Sequence, residues 1–234
     1  MENVLPLRPN KIERVSAYQS EDSIATRSNT RNSHRIYQRK QVLYCAGDVF
    51  KAVYQLRSGS AKASVCTVNG DEHITDFFYP GDIVGVDGFD SFVHSQQLTF
   101  LETSSVVCYT EREIDSLLAK SEAFRSSLLR AMSHSLVRDQ QMLLSLTNCC
   151  SVQRVAQFIL SLSKRFSERR CSSVEFSLSM TRTDIASYIG MAIETLSRVL
   201  TAFQQANILS IKHRKVVIND LDALRAKAKV DLFL

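Results

Sequence analysis

Residues 180–206 read MTRTDIASYIGMAIETLSRVLTAFQQA, and their spacing predicts two short helices joined at a glycine. Thr181 or Thr183 can cap the first helix, whose body is Asp184-Ile185-Ala186-Ser187-Tyr188-Ile189. Gly190 ends it, because glycine enters the left-handed region without a Cβ clash. A second helix begins near Ala192, with Leu196, Val199, Leu200 and Phe203 at three- and four-residue spacing. Its other side carries Glu194, Ser197 and Arg198 at i, i+3 and i+4, so the three project together. This is the form of a helix-turn-helix whose second helix enters the DNA major groove. Arginine can donate two hydrogen bonds to guanine, glutamate can accept from cytosine, and a serine hydroxyl serves a base edge or a phosphate. On spacing alone, an ordinary amphipathic helix with an internal Glu194–Arg198 pair fits as well.

The segments around this stretch extend the reading. After it come apolar runs at 208–211 and 216–218, with Lys212-His213-Arg214-Lys215 between them. They predict a two-stranded wing with a basic tip suited to phosphate. A short basic helix is expected over 221–229. Before it lie a helix over 152–166, a charged loop over 167–173 and a short strand over 174–178. The C-terminal unit, 148–234, therefore reads as a winged helix-turn-helix.

From Glu113 the pattern is helical for roughly 30 residues. Leu128, Met132, Ser135, Asp139, Met142 and Leu146 step by four and three, flanked by Phe124, Leu129, Leu136 and Leu143. This near-heptad seam over 113–147 predicts a parallel pair across a dimer axis. Packing of the helix on its own β domain is the alternative. If Asp139 lies in the seam it faces its twin, and the two charges repel. Residues 147–151 interrupt the helix as a hinge. Over 34–112 the pattern is β, with candidate strands at 42–44, 52–57, 61–68, 73–78, 83–86, 97–100 and 104–109. Turns such as Asn69-Gly70-Asp71 and Pro80-Gly81-Asp82 separate them. Many short strands at regular intervals suggest a small barrel or roll. Residues 1–33 are polar and aperiodic, and read as a flexible arm.

Charge is distributed unevenly. Residues 1–40 carry eight Lys/Arg against four Asp/Glu, 41–150 eight against thirteen, and 151–234 thirteen against seven. A basic C-terminal unit on an acidic one is the electrostatic footprint of a nucleic-acid-binding module. No apolar run approaches the roughly 20 residues needed to cross a bilayer, and the start lacks the apolar core of a signal peptide, so a cytoplasmic protein is expected. The six cysteines, Cys45, Cys66, Cys108, Cys149, Cys150 and Cys171, form no C-x-x-C pair and no zinc spacing with histidine. No nucleophile–base constellation or phosphate-cradling glycine loop is present, so an enzyme is not expected.

Three stretches together resemble the CRP/FNR superfamily of bacterial transcription regulators. The first is Ala46-Gly47-Asp48 with Leu56-Arg57-Ser58-Gly59. The second runs from Gly70-Asp71-Glu72 through Phe77 to Pro80-Gly81-Asp82-Ile83-Val84-Gly85. The third is Met180-Thr181-Arg182-Thr183-Asp184-Ile185 with Glu194-Thr195-Leu196-Ser197-Arg198. The resemblance covers about residues 35–230. It implies an α+β architecture: a β-roll of the cyclic-nucleotide-binding jelly-roll kind, a long dimerisation helix and a C-terminal winged helix-turn-helix. The FNR branch reads DNA through Glu-x-x-Ser-Arg, which falls on Glu194, Ser197 and Arg198. An inverted repeat with TTGAT-like half-sites is then implied. Backbone contacts are expected from Thr181, Arg182, Thr183, Thr195, Lys212, His213, Arg214 and Lys215, and RNA polymerase is an expected partner. Ile193 stands where the cyclic-AMP receptor branch has a further base-reading arginine. It can pack on a thymine methyl but cannot donate to guanine.

The resemblance leaves the signal open. Cyclic-nucleotide members clamp the ligand phosphate with a roll arginine, but residues 63–111 hold no lysine or arginine and eight Asp/Glu. Oxygen-sensing members hold an iron–sulfur cluster through three arm cysteines and one in the roll. This arm has no cysteine, and the roll position falls on Val107, beside Cys108. Neither group is expected. His34, His73, His94 and His134 are the candidates for a haem ligand, and Cys108, Cys149 and Cys150 for a thiol switch. A redox or haem sensor acting mainly through protein contacts is the rival function, and a regulator with no ligand a further reading.

Overall fold

The computed structural model describes residues 34–229; the expected arm over 1–33 lies outside them. Within the β region the strands are β1 (His34–Tyr37), β2 (Val42–Tyr44), β3 (Ala52–Ser58), β4 (Ala61–Cys66), β5 (Glu72–Phe78), β6 (Ile83–Val84), β7 (Gln97–Phe100) and β8 (Ser104–Thr110). They form two four-stranded sheets, ordered β1-β8-β3-β6 and β2-β7-β4-β5. Alternation decides what each face covers. Leu56, Val84 and Val106 of one sheet meet Tyr44, Ala61, Ala63, Phe78, Leu98 and Phe100 of the other in the roll core. The opposite face of the first sheet presents Val53, Ile83, Val107 and Tyr109 to the helices that follow.

Those helices are α1 (Glu111–Lys120) and α2 (Glu122–Asn148). The continuous helix expected from Glu113 is in fact two. Glu113 reaches back to accept from Thr110 N at 2.9 Å, which starts α1 earlier. Ser121 breaks the run in an extended conformation and caps α2, its Oγ accepting from Phe124 N at 3.2 Å.

The face that α2 leaves open also differs from the expected row. Leu128 is only 5% exposed and packs in the core under the roll with Tyr109 and Ile114. Ser135 and Met142 share that side and are half-buried. The roll needs a helix face to cover Val53 and Val107, and Leu128 supplies it. The exposed row instead includes Leu129, Met132, Leu136, Leu143 and Leu146, with Val137 and Leu144 exposed beside it. Its spacing of three and four is a heptad, and exposed Asp139 fills the one remaining position.

The C-terminal unit comprises α3 (Ser151–Glu168), β9 (Glu175–Ser177), α4 (Arg182–Tyr188), α5 (Ile193–Gln205), β10 (Leu209–Lys212), β11 (Lys215–Ile218) and α6 (Leu221–Ala228). Its sheet order is β10-β11-β9. Its core, built on Val155, Phe158, Ile159, Leu162, Ile185, Leu196, Leu200 and Phe203, is continuous with Ile74, Phe77, Tyr79 and Leu101 of the roll. Sequence periodicity gave no sign of this continuity. None of the described helices is long and apolar enough to cross a membrane.

Candidate nucleic-acid interface

The turn between α4 and α5 is built by local rules. Thr181, not Thr183, is the cap: its Oγ accepts from Asp184 N at 3.1 Å, and Asp184 Oδ2 accepts from Thr181 N at 2.8 Å and Thr181 Oγ at 2.7 Å. Gly190 sits at φ +63°, and a Cβ there would lie 2.5 Å from Leu146 Cδ2. The conformation is what requires glycine here, since the exposed Leu146 side chain at the end of α2 can move aside. Arg154 on α3 fixes the same turn, donating to Ile189 O at 2.9 Å and Gly190 O at 2.8 Å.

Helix α5 buries Leu196, Val199, Leu200 and Phe203 and turns Glu194 and Arg198 to solvent, with Ser197 half-buried beside them. No Glu194–Arg198 ion pair forms, so the internal pairing that spacing allowed is not adopted. Thr181, Arg182 and Thr183 are exposed at the start of α4, Ile193 is 38% exposed, and Thr195 is half-buried. At the wing tip, Lys212 pairs in register with Lys215, and His213 turns the chain at φ +55°. Lys212, His213 and Arg214 point into solvent, whereas Lys215 forms an ion pair with Glu175. The structure thus brings together the base-reading and phosphate candidates on one unit.

Several charged contacts tie this unit to the roll. Lys62 Nζ on β4 lies 2.8 Å from Asp184 Oδ1 and 2.9 Å from Glu72 Oε2. Burial acts to raise the Asp184 carboxyl, but its bonds to Lys62 and Thr181 hold it below the ordinary value of 3.8. Arg165 and Arg169 of α3 reach Asp82 at 3.0 and 2.6 Å. Asp76 is buried between Arg138 of α2, at 2.6 Å, and Arg165, at 3.7 Å. Its burial outweighs both guanidinium groups and raises the carboxyl above 3.8.

A helix-turn-helix backed by a basic wing, carried beneath a β-roll and a long helix, defines a class of DNA-binding transcription regulator. The chain belongs to the CRP/FNR family of such regulators. Residues 34–121 match the cyclic nucleotide-binding domain, and 153–227 match the Crp-like helix-turn-helix domain. It is 41% identical over 191 residues to the fumarate and nitrate reduction regulatory protein of Salmonella typhi, covering 82% of this chain and 76% of that one. To the anaerobic regulatory protein of Haemophilus influenzae it is 40% identical over 187 residues, 80% of this chain and 73% of that one. The structure of FixK2 from Bradyrhizobium japonicum has the same fold, with a TM-score of 0.77 at 21% identity, covering 86% of this chain and 99% of that one.

The family's ligand groups can be tested against these residues. A cyclic nucleotide needs a cation for its phosphate, and none occurs over 63–111. Inside the roll, His94 stacks on Tyr44 with ring centroids 3.7 Å apart, and its Nδ1 lies 3.3 Å from Asp87 Oδ1. An iron–sulfur cluster needs converging thiolates. Residues 1–44 contain no cysteine, and among the described residues no group of three potential metal ligands converges. Neither group fits. Of the haem-ligand candidates, His94 is only 4% exposed and already committed to Tyr44 and Asp87, while His34, His73 and His134 are exposed. Cys108 is buried in β8, and burial pushes its thiol above the ordinary range, which disfavours the thiolate. Cys149 is half-buried, accepting from Gln157 Nε2 at 3.2 Å, and Cys150 is exposed at the start of α3.

Proposed function

We propose that the chain acts as a homodimer on an inverted repeat with TTGAT-type half-sites, with Glu194, Ser197 and Arg198 reading base edges. Thr181, Arg182, Thr183, Thr195, Lys212, His213, Arg214 and Lys215 hold the phosphates around them. The observation that carries this reading is helix α5 itself: it is anchored by four buried apolar residues, while Glu194 and Arg198 stand exposed and unpaired with each other. The exposed heptad Leu129, Met132, Leu136, Asp139, Leu143 and Leu146 supports pairing through α2. On this reading the dimer sets two recognition helices about one helical turn apart and meets RNA polymerase at the promoter. Any signal taken up by the roll is neither a cyclic nucleotide nor an iron–sulfur cluster. Fluorescence anisotropy with a duplex carrying the inverted repeat and a scrambled duplex of equal length tests it. Binding the repeat at least 1,000-fold more tightly is the expected order of magnitude. Equal affinity for the two duplexes overturns base reading by α5.

A further inference from the structure

The first helix of the DNA-reading unit is held from outside that unit. Strand β5 is the edge of its sheet, and an edge exposes unpaired backbone groups. Helix α4 covers it. Ser187 Oγ accepts from Ile74 N at 3.0 Å and donates to Glu72 O at 3.2 Å. One turn earlier, Asp184 divides its carboxylate between two tasks. Oδ2 holds the Thr181 cap, and Oδ1 accepts from Lys62 of the roll at 2.8 Å. The Lys62 and Asp184 side chains are only 13% and 11% exposed. A charge so enclosed is costly without its partner, so the pair forms only when α4 is seated on the roll.

We propose that Lys62 is a positioning residue for DNA reading: through Asp184 it fixes the N-terminal edge of α4, and with it the angle at which α5 enters the groove. The proposal rests on the reading of α5 given above. Lys62 is enclosed by Glu72 and Asp184, while Arg182 and Thr183 on the same helix face solvent, so Lys62 does not itself hold a phosphate. A tilt of α4 passes to α5 through the Gly190 turn, the Arg154 bonds and the shared contacts of Ile185, Ile189, Leu196 and Val199. Hydrogen bonds to base edges fail with small errors of distance and angle, whereas phosphate attraction tolerates them. Sequence-specific binding therefore depends on Lys62 and non-specific binding does not.

The test uses the full chain with Lys62→Met. Affinity for the inverted-repeat duplex is expected to fall about tenfold, with the scrambled duplex and its salt dependence unchanged. Hydrogen exchange at 182–188 in the free protein is expected to speed up. An unchanged ratio of the two affinities, whether both hold or both fall together, overturns the proposal, and so does unchanged exchange. If the unaltered protein does not distinguish the duplexes, base reading by α5 has failed, and the exchange measurement still decides whether Lys62 seats α4. Should Lys62→Met not fold, Ser187→Ala removes the second tie to β5 without changing charge, and the same two outcomes are expected of it.

Discussion

The charged groups of the roll and those of the DNA-reading surface are used in opposite ways. In the roll, Lys62, Asp76, Asp82 and Asp87 each answer to a named partner within the chain. On the reading surface, Arg182, Glu194, Arg198, Lys212 and Arg214 are exposed and, among the described residues, have no ion-pair partner. Enclosed charges are valuable only where geometry matches them, and they hold parts in place. Exposed cations contribute little to folding but are available to a polyanion. On the proposed reading, position is set by one group of charges and binding by the other.

Three changes probe that division, in decreasing order of effect. Arg198→Ala should cost about 1–3 kcal/mol on the inverted repeat and relax preference at one base position. Equal losses on cognate and scrambled DNA would show that Arg198 is only another phosphate contact. Asp139→Leu should tighten self-association by about tenfold, since it replaces two facing charges with a buried apolar contact. Sedimentation equilibrium reads this directly, and an unchanged dissociation constant would mean that the exposed row of α2 is not the pairing face. Lys215→Gln should have the smallest effect, weakening all sequences alike and lowering the salt slope by less than about one. Glu175 already holds that lysine in the free protein, so little of its charge remains to be spent. A loss matching that of Arg198→Ala would break the division.

The reading surface was legible because its signals are local. Thr181 three residues before Asp184, a glycine at the turn and apolar residues at helical spacing specify α4 and α5 without reference to the rest of the chain. The docking was not legible. Lys62 and Asp184 are 122 residues apart, and no spacing rule links a lysine on a strand to a capping aspartate. The phase of α2 failed for a related reason. Leu128 and Leu129 begin two overlapping apolar rows, and both satisfy heptad spacing. Only the demand of the roll for a cover, met by Leu128, decides which row remains outward. His94 was visible as a candidate ligand, but its stacking on Tyr44 depends on a strand 50 residues earlier. Residue types announce themselves in sequence; the partners that occupy them do not.

The link between α2 and α3 has a consequence for the genome rather than for the protein. Only Cys149 and Cys150 separate the end of α2 from the start of α3, and two residues span at most about 7 Å. One base pair inserted between half-sites moves them apart by about 3.4 Å and rotates one against the other by about a tenth of a turn. To follow, each reading unit would have to swing about a tether with almost no slack and tear α4 from the roll edge. On the proposed reading, a dimer built this way is a fixed gauge. Promoters that use it would then be free to drift in the letters between the half-sites, but not in how many letters there are.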